Sequence, residues 1–348
     1  MLKIYKIDFK FQSIYFAIME EKYSTSGQDN YTFRYTEPKI KEKKKYSYLI
    51  NIGLFLLTFL TTTTAGVFWL NRDPYQLENF SLGLTYSLLI LSVITAHEFG
   101  HYLAARIHKI PVSLPYYIPF PFLEFNPFGT MGALIKMKSP TQSRKSLFDI
   151  GIAGPLSGWI VTCIILIIGY ITLPPLSYIY QIHPEYSETG IPSYGLRFGY
   201  NIIFWSVEKI FPNPNIPPMN EVYHYPFLCV GWFGLLITAL NMMPVGQLDG
   251  GHISYAMFGR KHKYMAYTVV IFLAVFGAAG ILPFIGIEFP LGSVSWLVWV
   301  LLIFFIIKIK HPDIIANPSE PLGRTRILLG WISFIIFLLS FCPIPVSE

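Results

Sequence analysis

Charge is scarce in this chain. Asp, Glu, Lys and Arg make up only 13% of its 348 residues, about half the quarter share of an ordinary soluble domain. With 53% hydrophobic residues and a mean hydropathy of +0.47, that scarcity excludes a disordered chain and a conventional soluble enzyme. Cysteine is sparse too: Cys163, Cys229 and Cys342 each lie in an apolar run, which argues against a disulfide framework. No cleavable leader is expected from the first 47 residues, which are polar and lysine-rich, and Glu20 and Glu21 speak against a transit peptide. No internal repeat or low-complexity domain stands out. The apolar residues instead fall into long runs, which predict a polytopic membrane protein.

A helix needs about 20 apolar residues to cross the hydrocarbon core. Runs of that kind cover 48–70, 82–106, 148–172, 222–244, 264–283, 292–308 and 327–343. They predict an all-α membrane protein of about seven transmembrane helices. The stretch 196–211, with Arg197, Asn201, Glu208 and Lys209, reads as an amphipathic helix lying at the interface. Basic residues then set the orientation. Of the 26 Lys and Arg, 10 lie in the N-terminal tail and 6, 3 and 4 in 104–147, 246–263 and 308–326. The opposite side, 71–80, 173–221, 284–291 and the C-terminal tail, holds 1, 2, 0 and 0. The alternation predicts a cytosolic N-terminus in a multi-pass protein of the cytoplasmic (inner) membrane. It also accounts for the net charge of +6, so the lipid bilayer is the expected partner and no nucleic acid is needed. The organisation read from this is a basic tail over 1–47, a membrane-embedded core over 48–260 and C-terminal transmembrane helices over 261–348.

Ionisable residues inside a membrane span are costly and mark function. The second run contains His97-Glu98-Phe99-Gly100-His101, the HExxH pattern. Residues four apart share a helix face, so both imidazoles can hold one metal ion, and Glu98 can take a proton from a water bound there. Two histidines leave a tetrahedral site short of a protein ligand. The candidate is Asp249, in Asn241-Met242-Met243-Pro244-Val245-Gly246-Gln247-Leu248-Asp249-Gly250-Gly251-His252. Pro244 and Gly246 break the helix before it, and irregular backbone at membrane depth is tolerated only around a protein-lined cavity. By charge topology Asp249 and the two histidines lie toward the same, cytosolic, side. The competing use of Asp249 is as a helix N-cap.

Between the second and third spans, Pro111, Pro115, Pro119, Pro121 and Pro127 exclude a continuous helix. Gly129 to Lys138 reads as a short strand ending in charge; the competing reading is a cytosolic loop resting on the membrane. Glu124 lies in this segment, but its spacing does not make it a ligand. His108, His183, His224, His262 and His311 read as interfacial or loop histidines, whereas His252, three residues past Asp249, could hydrogen-bond to the ligands.

These motifs together resemble the site-2 protease family of intramembrane zinc metalloproteases. The resemblance rests on His97 to His101, on Asn-x-x-Pro-x-x-x-x-Asp-Gly from Asn241 to Gly250, and on Gly151-Ile152-Ala153-Gly154-Pro155. It covers roughly residues 82–260 and is nearest the EGY-like branch; no PDZ domain is visible. It implies His97, His101 and Asp249 as ligands of one zinc ion per chain and Glu98 as general base. Asn241 would contact the substrate backbone. The segment near Gly132, Ala133 and Leu134 would be a membrane-dipping, re-entrant β-hairpin edge that pairs with an unwound substrate. The implied activity is hydrolysis of a peptide bond in or near the span of a single-span membrane-protein substrate, with an upstream site-1-type protease as a further partner. Two other readings use the same residues: a membrane metal-ion transporter, and a zinc-binding pseudoprotease that does not cut. A transporter would call for polar groups on several spans, and here the other spans are nearly free of charge.

Overall fold

The computed structural model describes residues 47–139, 143–287, 292–313, 315 and 320–347; the basic tail lies outside them. Apolar runs with few helix breakers become helices whose lengths follow the caps and prolines around them. The first two are α1 (Ser47–Trp69) and, after a 3-10 turn over Leu77–Gly83, α2 (Leu84–Ile107). Two short strands follow, β1 (Tyr116–Pro119) and β2 (Thr130–Leu134), paired antiparallel with Tyr116 opposite Leu134 and Tyr117 opposite Ala133. Next comes α3 (Arg144–Ile171), capped by Ser143, whose hydroxyl accepts from the Ser146 amide.

The loop beyond α3 carries two short helices, α4 (Ser177–Ile182) and α5 (Tyr186–Thr189). It then forms β3 (Arg197–Phe198) and α6 (Ile202–Ile210). The expected interfacial helix over 196–211 is therefore shorter than its apolar pattern suggested. The Asn201 side chain caps it by accepting from the Phe204 amide at 2.9 Å, so the helix starts at Ile202. Arg197 and Phe198 instead pair with the C-terminal strand β4 (Val346–Ser347).

The remaining helices are α7 (Pro226–Met242), α8 (Asp249–Phe258), α9 (His262–Ala279), α10 (Ser295–Leu302) and α11 (Arg324–Ser340). The run read as 222–244 starts its α-helix only at Pro226, because proline at the first position has no amide to offer a preceding turn. Among the described residues, four helical stretches are long and apolar enough to cross a membrane: Tyr48–Trp69, Leu77–Ile107, Arg144–Ile171 and Asp249–Ile285. The fourth bends at Gly259, whose φ of 57° interrupts the helix between α8 and α9. Pro226–Met242 and Ser295–Ile307 are apolar but shorter.

The packing places α2, α3, α7 and α8 side by side. Tyr86, Ile90, Leu166, Leu228 and Leu235 are buried where α2, α3 and α7 meet. Arg144 at the start of α3 donates to the Ala256 and Met257 carbonyls at 2.6 and 2.8 Å, so it holds the end of α8 against α3. Asp149 accepts two hydrogen bonds from Arg326 at 2.7 Å and pairs with His108 at 2.8 Å. One carboxylate thus ties the C-terminal end of α2, the first turns of α3 and the start of α11 together.

Candidate metal centre

The spacing of His97 and His101 puts both imidazoles on the inner face of α2, and α3 lies close enough to lock them. The reason is a groove of small residues. A Cβ at Gly154 would run into the His101 ring, and one at Gly158 would press on the His97 Cβ at 3.2 Å. His101 Nδ1 lies 2.7 Å from the Ile150 carbonyl oxygen. A carbonyl only accepts, so Nδ1 carries the proton and the Nε2 lone pair points into the cavity.

Asp249 reaches the same point from the other side. The chain leaves α7 at Met242, and Met243 to Gly246 are buried in an irregular link whose Gly246 amide donates to the Ile309 carbonyl at 3.0 Å. Gly246 has φ 52°, and a Cβ there would meet the Lys308 carbonyl. The N-cap of α8 is Leu248, so Asp249 is its first helical residue and its side chain caps nothing. It faces the histidines: Asp249 Oδ2 is 3.3 Å from His97 Nε2 and 3.4 Å from His101 Nε2. The two Nε2 atoms are 3.0 Å apart.

These three atoms form a nearly equilateral triangle. Ligands at the usual zinc distances of about 2.0–2.1 Å in a tetrahedron stand about 3.3 Å from one another. The two nitrogens and one oxygen therefore fit zinc without rearrangement, and with three protein ligands one position is left open.

Glu98 is buried beside the first histidine, and the Ile135 amide, just past β2, approaches its carboxylate. A cavity of about 710 Å³ opens onto the triangle. Its walls include Glu98, Asn241, and Gly132, Ala133 and Leu134 of β2. The ligand, base and substrate-contact residues read from the sequence thus border one space. Polar contacts fix the sheet against the helices and to itself. Tyr117 and Thr95 share a hydroxyl hydrogen bond at 2.8 Å and Asn51 donates to the Pro115 carbonyl at 2.8 Å, while Thr130 of β2 donates to the Ile118 carbonyl of β1 at 2.9 Å. Among the described residues, β2 has a strand neighbour on one edge only. Glu124 is exposed and lies away from the cavity.

Sequence reasoning missed two contributors. Trp299, on α10, lines the cavity, so a C-terminal helix helps enclose it. His311 packs against His252, with His252 Nδ1 2.7 Å from His311 Nε2. His311 Nδ1 lies 2.6 Å from the Pro312 carbonyl and must carry its proton there. Its Nε2 accordingly accepts from His252. Burial pushes the His311 imidazolium down to about 3. His252 lines the cavity, and only a sequence separation of 59 residues hid its partner.

The family model of peptidase family M50 matches residues 85–279, more than half of the chain, and the match contains every residue of the triangle. A probable zinc metalloprotease of the chloroplast, EGY2 of Oryza sativa subsp. indica, is 28% identical over 271 residues, covering 78% of this chain and 44% of that protein. EGY1 of Arabidopsis thaliana, with the same description, is 25% identical over 322 residues, 86% of this chain and 54% of its own. The EGY1 protein of Oryza sativa subsp. japonica is 30% identical over 238 residues, 62% of this chain and 38% of its own. The chain spans about half the length of the curated relatives it matches.

Proposed function

This chain belongs to peptidase family M50, the site-2 protease family, and from that membership and the geometry of the centre we propose that it is an intramembrane zinc endopeptidase. The observation that carries the reading is the convergence of His97 Nε2, His101 Nε2 and Asp249 Oδ2 beside buried Glu98, on one cavity among membrane-length helices. His97, His101 and Asp249 would hold one zinc ion per chain. Zinc, when bound, supplies a Lewis acid and lowers the pKa of water to about 7.

The rest is done by the chain. The Glu98 carboxylate accepts a proton from the attacking water and returns it to the leaving amine nitrogen. A transmembrane helix hides its carbonyls in hydrogen bonds, so the substrate must unwind before attack. The Asn241 side chain donates to the substrate backbone, and the free edge of β2 at Gly132, Ala133 and Leu134 replaces the lost helical bonds by strand addition. Gly154 and Gly158 keep the two imidazoles from rotating away. The substrate class is a single-span membrane protein, with an upstream site-1-type protease preparing it.

Seven crossings, with Pro226–Met242, α10 and α11 as the shorter ones, and a membrane-dipping sheet complete the topology. The placement of basic residues supports a cytosolic N-terminus with the centre toward the same side. The same reading supports a cytoplasmic membrane, whereas the names of the relatives place those proteins in the chloroplast.

The test pairs zinc content with cleavage of a single-span substrate. Wild type should carry about one zinc at this centre, the number that one set of three protein ligands and an open position holds, and should cleave. Asp249→Ala should lose that zinc and the activity together. An Asp249→Ala protein that keeps both would overturn the assignment.

A further inference from the structure

Two other histidines that read as loop residues come together at the opposite end of α7. His183 follows α4, His224 sits just before Pro226, and Glu221 lies one turn earlier. His224 Nδ1 lies 2.6 Å from the Trp69 carbonyl oxygen at the end of α1, so that nitrogen carries the proton. His183 Nδ1 lies 2.9 Å from Glu185 Oε1 and donates to it. Each ring is left with a lone pair on Nε2, yet these two nitrogens are 3.0 Å apart. Two lone pairs at that separation repel unless a cation stands between them or one ring takes a second proton.

The carboxylate beside them points to the first. Glu221 is 1% exposed. Its Oε1 accepts from the Tyr186 hydroxyl and the Asn220 amide, both at 3.2 Å. Its Oε2 has no hydrogen-bond partner among the described residues and lies 3.5 Å from His224 Nε2. A buried carboxylate oxygen left without a partner keeps the full cost of losing its water, which a bound cation would offset. One ligand atom from each of the three residues falls within 4.8 Å of the others.

We propose that His183 Nε2, His224 Nε2 and Glu221 Oε2 hold a second divalent cation of the zinc class, separate from the centre on α2. The 17 residues of α7, about 26 Å at 1.5 Å per residue, separate the two clusters. By charge topology the second faces the side opposite the HExxH centre. Two nitrogens and one carboxylate oxygen suit zinc, cobalt or nickel better than calcium or magnesium, which prefer all-oxygen sites. The outer partners are in place, since each imidazole donates its other N–H to an oxygen, as metal-bound histidines do. The His183 side chain is 15% exposed against 4% for His224 and 2% for Glu221, so an ion can enter past it. Its role is a clasp: it joins the loop at His183 to the start of α7, and through the Trp69 carbonyl to the end of α1.

The experiment counts metal in the full-length protein in detergent after stripping with chelator and reloading with Zn²⁺. A His97→Ala/His101→Ala variant isolates the second site and should retain about one equivalent of the roughly two bound by wild type, as two separate three-ligand sites require. Adding His183→Ala, at the rim, should take it to none. Glu221→Gln keeps the size and the Tyr186 contact and should weaken binding at least about tenfold, the lower end of what losing even a hydrogen-bonding partner of a metal ligand costs. Zn²⁺ should also raise the Tm of the His97→Ala/His101→Ala protein and slow protease cutting in 173–221, and both effects should vanish with His183→Ala. A folded His97→Ala/His101→Ala protein that binds no zinc would overturn the proposal and leave a doubly protonated imidazole donating to its neighbour. So would an equivalent that survives both His183→Ala and Glu221→Gln. Cleavage is not read, so the result does not depend on the protease assignment.

Discussion

The two ends of α7 offer a controlled contrast. Each brings two imidazoles and one carboxylate together, with the nitrogens 3.0 Å apart in both. At the α2 end the histidines share one helix face, a further carboxylate, Glu98, stands beside them, and the cavity of about 710 Å³ gives a peptide room to enter. At the other end the histidines come from two loop segments. The spare oxygen of Glu221 is engaged by Tyr186 and Asn220, and none of the three residues lines the cavity. A donor triangle is what an ion would need; peptide hydrolysis would also need a spare base and free space. The helix supplies both because its next residue, Glu98, must point to a neighbouring face, whereas the loop closes over its own ligands.

The contrast breaks most sharply at Glu98. Glu98→Gln should lower the cleavage rate by about 10²–10⁴-fold while zinc content is unchanged, the range set by loss of a general base. Cleavage at the wild-type rate would reduce the α2 cluster to a holding site like the other. Packing should matter next. Gly154→Val would put a branched side chain into the His101 ring, and zinc affinity measured by competition with a chelator should fall by about 10–100-fold, as it does when an imidazole's supporting contacts are lost. Unchanged affinity would mean that the close approach of α3 does not orient the ring.

Asn241→Ala should reduce cleavage by about tenfold, the effect of losing one hydrogen bond worth about 1.4 kcal/mol, with zinc content unaltered. A fall in zinc content would instead make Asn241 part of the metal site. The smallest effect concerns stability and acid. Burial holds the folded His311 near 3, below the unfolded value of about 6.5. A depressed folded value means the unfolded chain binds the extra proton. The stability from this group is therefore complete above about pH 6.5 and drains as pH falls toward about 3. Melting curves should show a steeper loss of Tm between about pH 6.5 and pH 4 in wild type than in His311→Asn. Equal slopes would remove His311 from the acid response.

Much of the centre was legible because it is local. The four-residue spacing of His97 and His101 fixes a shared helix face, and Pro244 and Gly246 announce the break that precedes Asp249. Helix ends were less legible, since 196–211 yielded to the Asn201 cap and to a strand pairing with Val346 and Ser347. That pairing joins segments separated by most of the C-terminal half, and no local pattern encodes it. The same limit hid Trp299 and His311, whose neighbours at the cavity lie far away in sequence.

By itself the sequence determined the apolar runs, the uneven placement of lysine and arginine between them, and the residue types of the α2 centre. These depend on composition and on the helical period, which act over a turn or two. Only the tertiary structure decided that Asp249 heads its helix and turns to the histidines rather than capping it. It also decided that the His101 tautomer is set by the Ile150 carbonyl, and that His183, Glu221 and His224 converge. A side chain's partner across the molecule depends on how helices pack, and here that packing was set by the small residues of α3, the Arg144 and Asp149 ties, and the irregular link after α7.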